Sequence, residues 1–304
     1  MRIAFATTVP EVLGDDDVDR PLHEVAFALA GMELEHRVWS DPSVPWDQYD
    51  LVVIRSVWDY VPHSDNYREW LSSMDLLGTL RNPAPLVAWN LDKRYLMELD
   101  AAGVPVIPTR VATSAEELVD CLSSVDQEVV VKPVVSAGSV DTGRFDVHDQ
   151  NAAELGHRIL RNGTPVMVQP AIASVATEGE ISAVLFGGRL SHAFRKGPML
   201  ALGGDVLDGY ERLESVSLTA QQNLVVRKTV AAVDHIAAAE LGVTLPLLYA
   251  RVDLVRTEDN RDLVLEVELN EPSFFLSLDH RAANRFAAAV YREVRGRDLA
   301  TREG

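Results

Sequence analysis

Arg251-Val252-Asp253-Leu254-Val255, and after a polar turn Leu263-Val264-Leu265-Glu266-Val267-Glu268-Leu269-Asn270, form the stretch on which the fold turns. Charged and apolar residues alternate along both runs, as they do along strands. Glu258-Asp259-Asn260 supplies the turn, so strands are expected over Leu248–Arg256 and Leu263–Leu269. Alternation puts Arg251, Asp253 and Val255 on one face, and Glu266, Glu268 and Asn270 on one face. Adjacent antiparallel strands then present three carboxylates together. Like charges so close on a half-buried surface are unfavourable unless a cation sits among them. Hard oxygen ligands around bridging phosphates suit Mg2+. A solvated outer face of a hairpin would show the same alternation. Which of Glu266, Glu268 and Asn270 would join Asp253 is open at this point.

Upstream, Val129-Val130-Val131-Lys132-Pro133 ends an apolar strand on a lysine, within a strand expected over Glu128–Val135. The loop Ser136-Ala137-Gly138-Ser139-Val140-Asp141-Thr142-Gly143 follows. An ammonium beside the backbone N–H groups of a small-residue loop is built for phosphate, with Ser136, Gly138 and Ser139 as the closest candidates. Lys93 is placed early in a helix that Asn90 caps, where a plain surface lysine would read the same. Val166-Met167-Val168-Gln169-Pro170, continuing into Ala171 and Ile172, reads as a hinge able to offer backbone groups to an adenine edge. Either Glu178 or Glu180 would then reach ribose hydroxyls. A core strand leading into a loop is the plain alternative. Glu180–Phe186 and Arg189–Phe194 form a hairpin through Gly187-Gly188, which Arg195-Lys196 extends with two cations.

The surroundings are ordinary for a globular protein. The chain has 304 residues, 47% hydrophobic and 24% charged, enough to bury a core without a disulfide or structural metal. Its net charge of −18 repels nucleic acid and anionic membranes, so if the chain binds ATP it must concentrate its few cations in one site. The start MRIAFATTVPE lacks a signal-peptide stretch, and no run reaches the ~20 apolar residues of a membrane span. One cysteine, Cys121, fits a reducing compartment and reads as a half-buried helix residue, so the expected location is cytoplasmic. Strands at Arg2–Thr8, His36–Trp39 and Leu51–Arg55 alternate with helices at Pro21–Met32 and Asn66–Leu77. That alternation predicts an N-terminal parallel α/β unit. It has no G-x-G-x-x-G, so no dinucleotide site is supported there. Arg81–Pro85 reads as a turn-rich connection, Val104–Val111 as a short strand, and Asp15–Asp17 as a solvated loop. Long helices are expected over Thr219–Leu241 and Arg281–Val294, the first able to pack internally or across a homodimer. His63 and His192 are assigned to polar surfaces.

Taken in order, a lysine, a lysine with a small-residue loop, a hinge strand, a basic pair and Asp…Glu-x-Glu resemble the ATP-grasp superfamily over nearly the whole chain. The resemblance implies an α/β (α+β ATP-grasp) fold. It divides into an N-terminal unit (1–85), a subdomain with the lysines and phosphate loop (86–170), and a C-terminal subdomain with the metal carboxylates (171–304). Arg55-Ser56-Val57-Trp58-Asp59-Tyr60, Trp89-Asn90-x-x-Lys93-x-Tyr95-Leu96, and Glu266-x-Glu268 before Glu271-Pro272-Ser273 are similar to the O-ureido-serine cyclo-ligases, the D-cycloserine synthetases. That resemblance implies MgATP with two metal ions. Lys93 and Lys132 would hold the α- and β-phosphates, and Arg251 with Arg195 or Lys196 the γ-phosphate. The metal would rest on Asp253, Glu266 and Glu268, with Asn270 as the alternate. Arg55, Trp58, Asp59, Tyr60 and Ser273 would contact an amino-acid-like substrate. Competing readings are an ATP-grasp ligase joining two molecules, a kinase, and a nucleotide-binding module without turnover.

Overall fold

Arg2–Thr7 (β1) is buried in all but its first residue, because it lies at the centre of a parallel sheet. Glu33–Val38 (β2) and Leu51–Ile54 (β3) flank it, and Leu80–Arg81 (β4) closes the edge in the order β2-β1-β3-β4. Pro10–Leu13 (α1), Arg20–Leu29 (α2) and Ser64–Leu77 (α3) belong to this part of the chain. The computed structural model describes residues 1–13, 17–138, 140–203, 212–243 and 246–303. Asp15, Asp16 and Ser139 therefore lie outside the described residues, while Asp17 accepts the Ser56 hydroxyl at 2.6 Å.

The expected turn-rich connection at Arg81–Pro85 is instead β4 followed directly by a helix, Ala84–Asn90 (α4). Pro85 sits in its first turn, where a missing N–H is tolerated. Asn90 ends α4 and caps nothing. Its side chain donates to Val267 O at 2.8 Å and accepts from Leu269 N at 2.8 Å. Lys93 consequently lies in a turn before Tyr95–Ala101 (α5), and its N–H donates to Val134 O at 2.7 Å.

The middle sheet is antiparallel: Arg110–Ala112 (β5), Val129–Pro133 (β6), Gly143–Phe145 (β7) and Val166–Pro170 (β8), in the order β5-β8-β6-β7. Ala115–Ser123 (α6) and Gln150–Arg161 (α7) cover it. Cys121 on α6 is fully buried, not half-buried. The strand expected over Val104–Val111 is shorter, because Val106 leaves to bridge Val264.

Val175–Glu178 (α8) precedes the third sheet. Glu180–Phe186 (β9), Arg189–Lys196 (β10), Glu214–Val216 (β11), Tyr249–Arg256 (β12) and Asp262–Glu268 (β13) run β11-β10-β9-β12-β13. Ala220–Glu240 (α9), opened by a Thr219–Gln222 capping box, packs with α5 on one side of this sheet. Ala282–Glu303 (α10) packs on the other side, where Phe286 joins Phe5 and Phe27 to Phe186, Tyr249 and Phe274. No helix among the described residues is long and apolar enough to cross a membrane.

Candidate active site

The β12–β13 register places Asp253 opposite Glu266 and Arg251 opposite Glu268, with a bulge between Asp253 and Leu254. The extra residue is Leu265 on β13, so Val264 joins Leu254 in the core beneath while Glu266 faces the cavity. β9 lies on the other side of β12, and β10 beyond it brings Lys196 opposite Glu180. The middle sheet faces this surface across a cavity of about 1100 Å³. Lys93, Lys132, Ser136, Ala137, Gly138, Val140 and Thr142 line its far wall.

A chain with 28 basic and 46 acidic residues lines this cavity with five of each among the described residues. The cations are Lys93, Lys132, Arg144, Lys196 and Arg251, and the acids Glu180, Asp253, Glu266, Glu268 and Glu271. Lys196 Nζ lies 3.0 Å from both Glu180 and Asp253. Arg251 donates to Asp253 at 2.9 Å, to Ser273 O at 3.1 Å, and to Glu268. Lys93 pairs with Glu266.

Burial and pairing push these groups in different directions. Burial drives the Lys132 ammonium down to about 8, against the pull of Glu266 and with the push of Lys93. For Lys196 the same burial is outweighed by Asp253 and Glu180, which hold its ammonium above the ordinary lysine range. Burial would raise Asp253, but Arg251 and Lys196 hold it well below the carboxylate range. Glu266 is likewise held low by Lys93 and Lys132 against burial. Burial raises Glu268 to about 7 despite Arg251, and Glu271 to about 8 with Glu268 adding to it.

Several residues singled out from sequence line the cavity: Lys93, Lys132, Ser136 and Gly138; Gln169, Pro170, Ala171 and Ile172; Glu180 and Lys196; and Arg251, Asp253, Glu266, Glu268 and Asn270. Trp58, Tyr60 and Ser273 line it as well. Others do not. Strand alternation sends Arg195 to the face opposite Lys196, where it donates to Glu178 O at 2.9 Å. Glu178 is exposed at the end of α8, whereas Glu180, on β9, faces the cavity. Asp59 is held by Trp39 Nε1 at 2.7 Å. Arg55 is buried behind the wall, 3.8 Å over the Phe274 ring and 3.7 Å from Asp19. Asn270 Oδ1 accepts from Tyr67 at 2.6 Å. At the hinge, Ala171 N–H already donates to Glu128 O, and Gln169 Nε2 donates to Thr109 at 2.8 Å. His192 is buried rather than on a polar surface, its Nε2 2.7 Å from Phe274 O.

Sequence reasoning passed over Asp19, Arg144 and Glu271. Asp19 accepts the amides of Phe274, Phe275 and Leu276 at 2.6, 3.1 and 2.7 Å. That contact spans more than 250 residues and leaves no local signal. Glu271 directly follows the metal-type strand, and its place beside Glu266-x-Glu268 was the available signal.

The donor chemistry fits a hard divalent cation: carboxylate oxygens share the cavity with ammonium and guanidinium groups suited to phosphate. As placed, Glu180, Asp253, Glu266 and Glu268 are paired with those cations, and no three acidic or metal-binding side chains among the described residues converge on one point. A polyanion that takes up the lysines would free the carboxylates for metal.

Known proteins are similar to this chain in sequence and fold. Residues 3–82 match the family model described as D-cycloserine synthetase DcsG, N-terminal domain. The cycloserine biosynthesis protein DcsG of Streptomyces lavendulae is 36% identical over 282 residues, 90% of this chain and 93% of that protein. The crystal structure of D-cycloserine synthetase DcsG superposes with a TM-score of 0.89 at 34% identity, covering 97% of this chain and 100% of that one. An ATP-grasp RimK domain protein from Sphaerobacter thermophilus shares the fold, with a TM-score of 0.68 at 21% identity over 95% of this chain and 99% of its own.

Proposed function

Since the chain belongs to the D-cycloserine synthetase family of ATP-grasp ligases, we propose that it closes O-ureido-D-serine to D-cycloserine, with ATP converted to ADP and phosphate. ATP-grasp ligases use ATP and Mg2+, and two metal ions are part of the proposal. The carboxylate oxygen attacks the γ-phosphorus, giving an acyl phosphate and ADP. The ureido nitrogen bonded to oxygen then attacks the acyl carbon, and phosphate leaves. Loss of the carbamoyl group with one water gives ammonia and carbon dioxide. An internal nucleophile enjoys a high effective concentration, so no second amine is needed.

Lys93 and Lys132 would hold the α- and β-phosphates, and Lys196 and Arg251 the γ-phosphate and the developing acyl phosphate. Bound Mg2+ would neutralise phosphate charge from Asp253, Glu266 and Glu268. Glu180 would take the ribose, and the backbone of Gln169–Ile172 the adenine. The Ser136–Gly143 loop would exclude water from the acyl phosphate. The subdomain boundaries near residues 85 and 170, a cytoplasmic location and a possible homodimer belong to the same reading.

One observation carries it. A single cavity is lined both by the cation–carboxylate array of β10, β12 and β13 and by Trp58, Tyr60, Glu271 and Ser273. Its volume, about 1100 Å³, leaves space for a small molecule beside a nucleotide. The test is ADP release with MgATP, with and without O-ureido-D-serine, with products identified by mass. Cycloserine formed together with ADP supports the cyclo-ligase. ADP formed only when a separate amine is added replaces it with a two-substrate ligase.

A further inference from the structure

Four of the five acids in the cavity have a cationic partner: Glu180 and Asp253 share Lys196, Glu268 pairs with Arg251, and Glu266 with Lys93. Glu271 has none among the described residues. It lines the cavity and is hydrogen-bonded to the Tyr60 hydroxyl. Its backbone is fixed on every side. Trp58 Nε1 reaches Glu271 O at 3.5 Å, Tyr249 holds Asn270 O at 2.8 Å, and Asp19 holds the amides of residues 274–276.

A carboxyl group in a largely buried wall that makes no ion pair is placed to receive a ligand that brings its own cation. We propose that Glu271, backed by Tyr60, is the receptor for a primary ammonium and selects an α-amino acid over the same acid without its amine. This rests on reading the cavity as the substrate site. In an α-amino acid the ammonium is one carbon from the carboxylate. Anchoring it on Glu271 therefore fixes where the carboxylate points, toward Arg251, which is tied to Ser273 O two residues further along.

The experiment compares O-ureido-D-serine with 3-(ureidooxy)propanoic acid, which lacks only the amine, in the wild type, Glu271→Gln and Tyr60→Phe. Expected for Glu271→Gln is a loss of about 100-fold in kcat/KM on the amino acid, carried mainly by KM. The loss on the amine-less acid should be smaller by at least about tenfold, with the KM for MgATP unmoved. Tyr60→Phe should show the same pattern more weakly. Equal losses on both acids, or a shifted MgATP KM or Mg2+ requirement, would overturn the proposal and assign Glu271 to the nucleotide end. If the wild type releases no ADP with either acid, the cyclo-ligase reading fails. Calorimetric binding of D- and L-amino acids against their deaminated counterparts then decides Glu271 separately: no amine-dependent loss of affinity in Glu271→Gln sinks it.

Discussion

Lys132 and Lys196 are both buried in one cavity, yet their ammonium groups are pushed opposite ways. Two carboxylates stand 3.0 Å from Lys196, while Lys132 has no ion pair among the described residues and is left to bind an anion. Its proton is half lost at about pH 8. Phosphate must bind the protonated form, so the part of MgATP affinity that Lys132 contributes, read as the difference from Lys132→Arg, should hold below pH 8, apart from the separate titration of Glu268 near 7. It should then fall toward tenfold per pH unit above it, until the raised value of the complex is reached. Calorimetric titration between pH 6.5 and 9.5 measures this, and Lys132→Arg should flatten the profile. Asp253 behaves differently, since it balances both Arg251 and Lys196 from 2% exposure. Asp253→Asn should abolish ADP release and also lower stability by about 3 kcal/mol, because two buried cations each lose one of their two carboxylate partners. Denaturant melts would show this, and an unshifted midpoint would mean that water reaches the cluster.

At the scale of elements, the loop after β13 is positioned from across the molecule. Asp19 begins α2 but makes no cap bond there, because its carboxylate accepts the three amides of residues 274–276. Asp19→Asn turns an amide N–H toward those donors and should cost about 2 kcal/mol. It should also raise the amino-acid KM several-fold with the MgATP KM unchanged, which initial-rate kinetics would separate. This contact also shows what the sequence could not tell. The β12–β13 carboxylates were legible because strand alternation is local. Lys132 was legible because an apolar strand ended on it before a loop of small residues. Arg55 and Asp59 were misassigned to the cavity since a residue in a motif carries no sign of which side of the wall it occupies. Asn90 looked like a helix cap, and only the fold shows it bridging Val267 and Leu269, at sequence separations of 177 and 179.

The molecule as a whole is closed by an aromatic junction. α10 brings Phe286 within 4.9 to 6.3 Å, between ring centroids, of Phe5, Phe27, Phe186, Tyr249 and Phe274, so the first and third sheets share one core. Phe286→Ala should cost about 4 kcal/mol and, because the core is shared, lower one cooperative transition rather than split it. His23 lies inside this junction, its ring 5.1 Å from Phe5 and 5.2 Å from Phe286, with neither nitrogen partnered among the described residues. Burial, with Arg55 and His36 nearby, holds His23 well below the ordinary histidine range. The folded protein therefore keeps it neutral, while the unfolded chain protonates it near pH 6.5. The unfolded state then binds the extra proton, so stability is full above pH 6.5 and declines as pH falls below it. His36 and His192, also lowered mainly by burial, add slope of the same sign. His23→Leu removes two unpartnered nitrogens from an apolar site. It should leave stability at pH 8 unchanged or higher and reduce the slope between pH 6.5 and 5 by about 1 kcal/mol per pH unit on average. Denaturant midpoints across that range measure it, and an unchanged slope in the variant would mean that His23 takes up its proton in the folded protein.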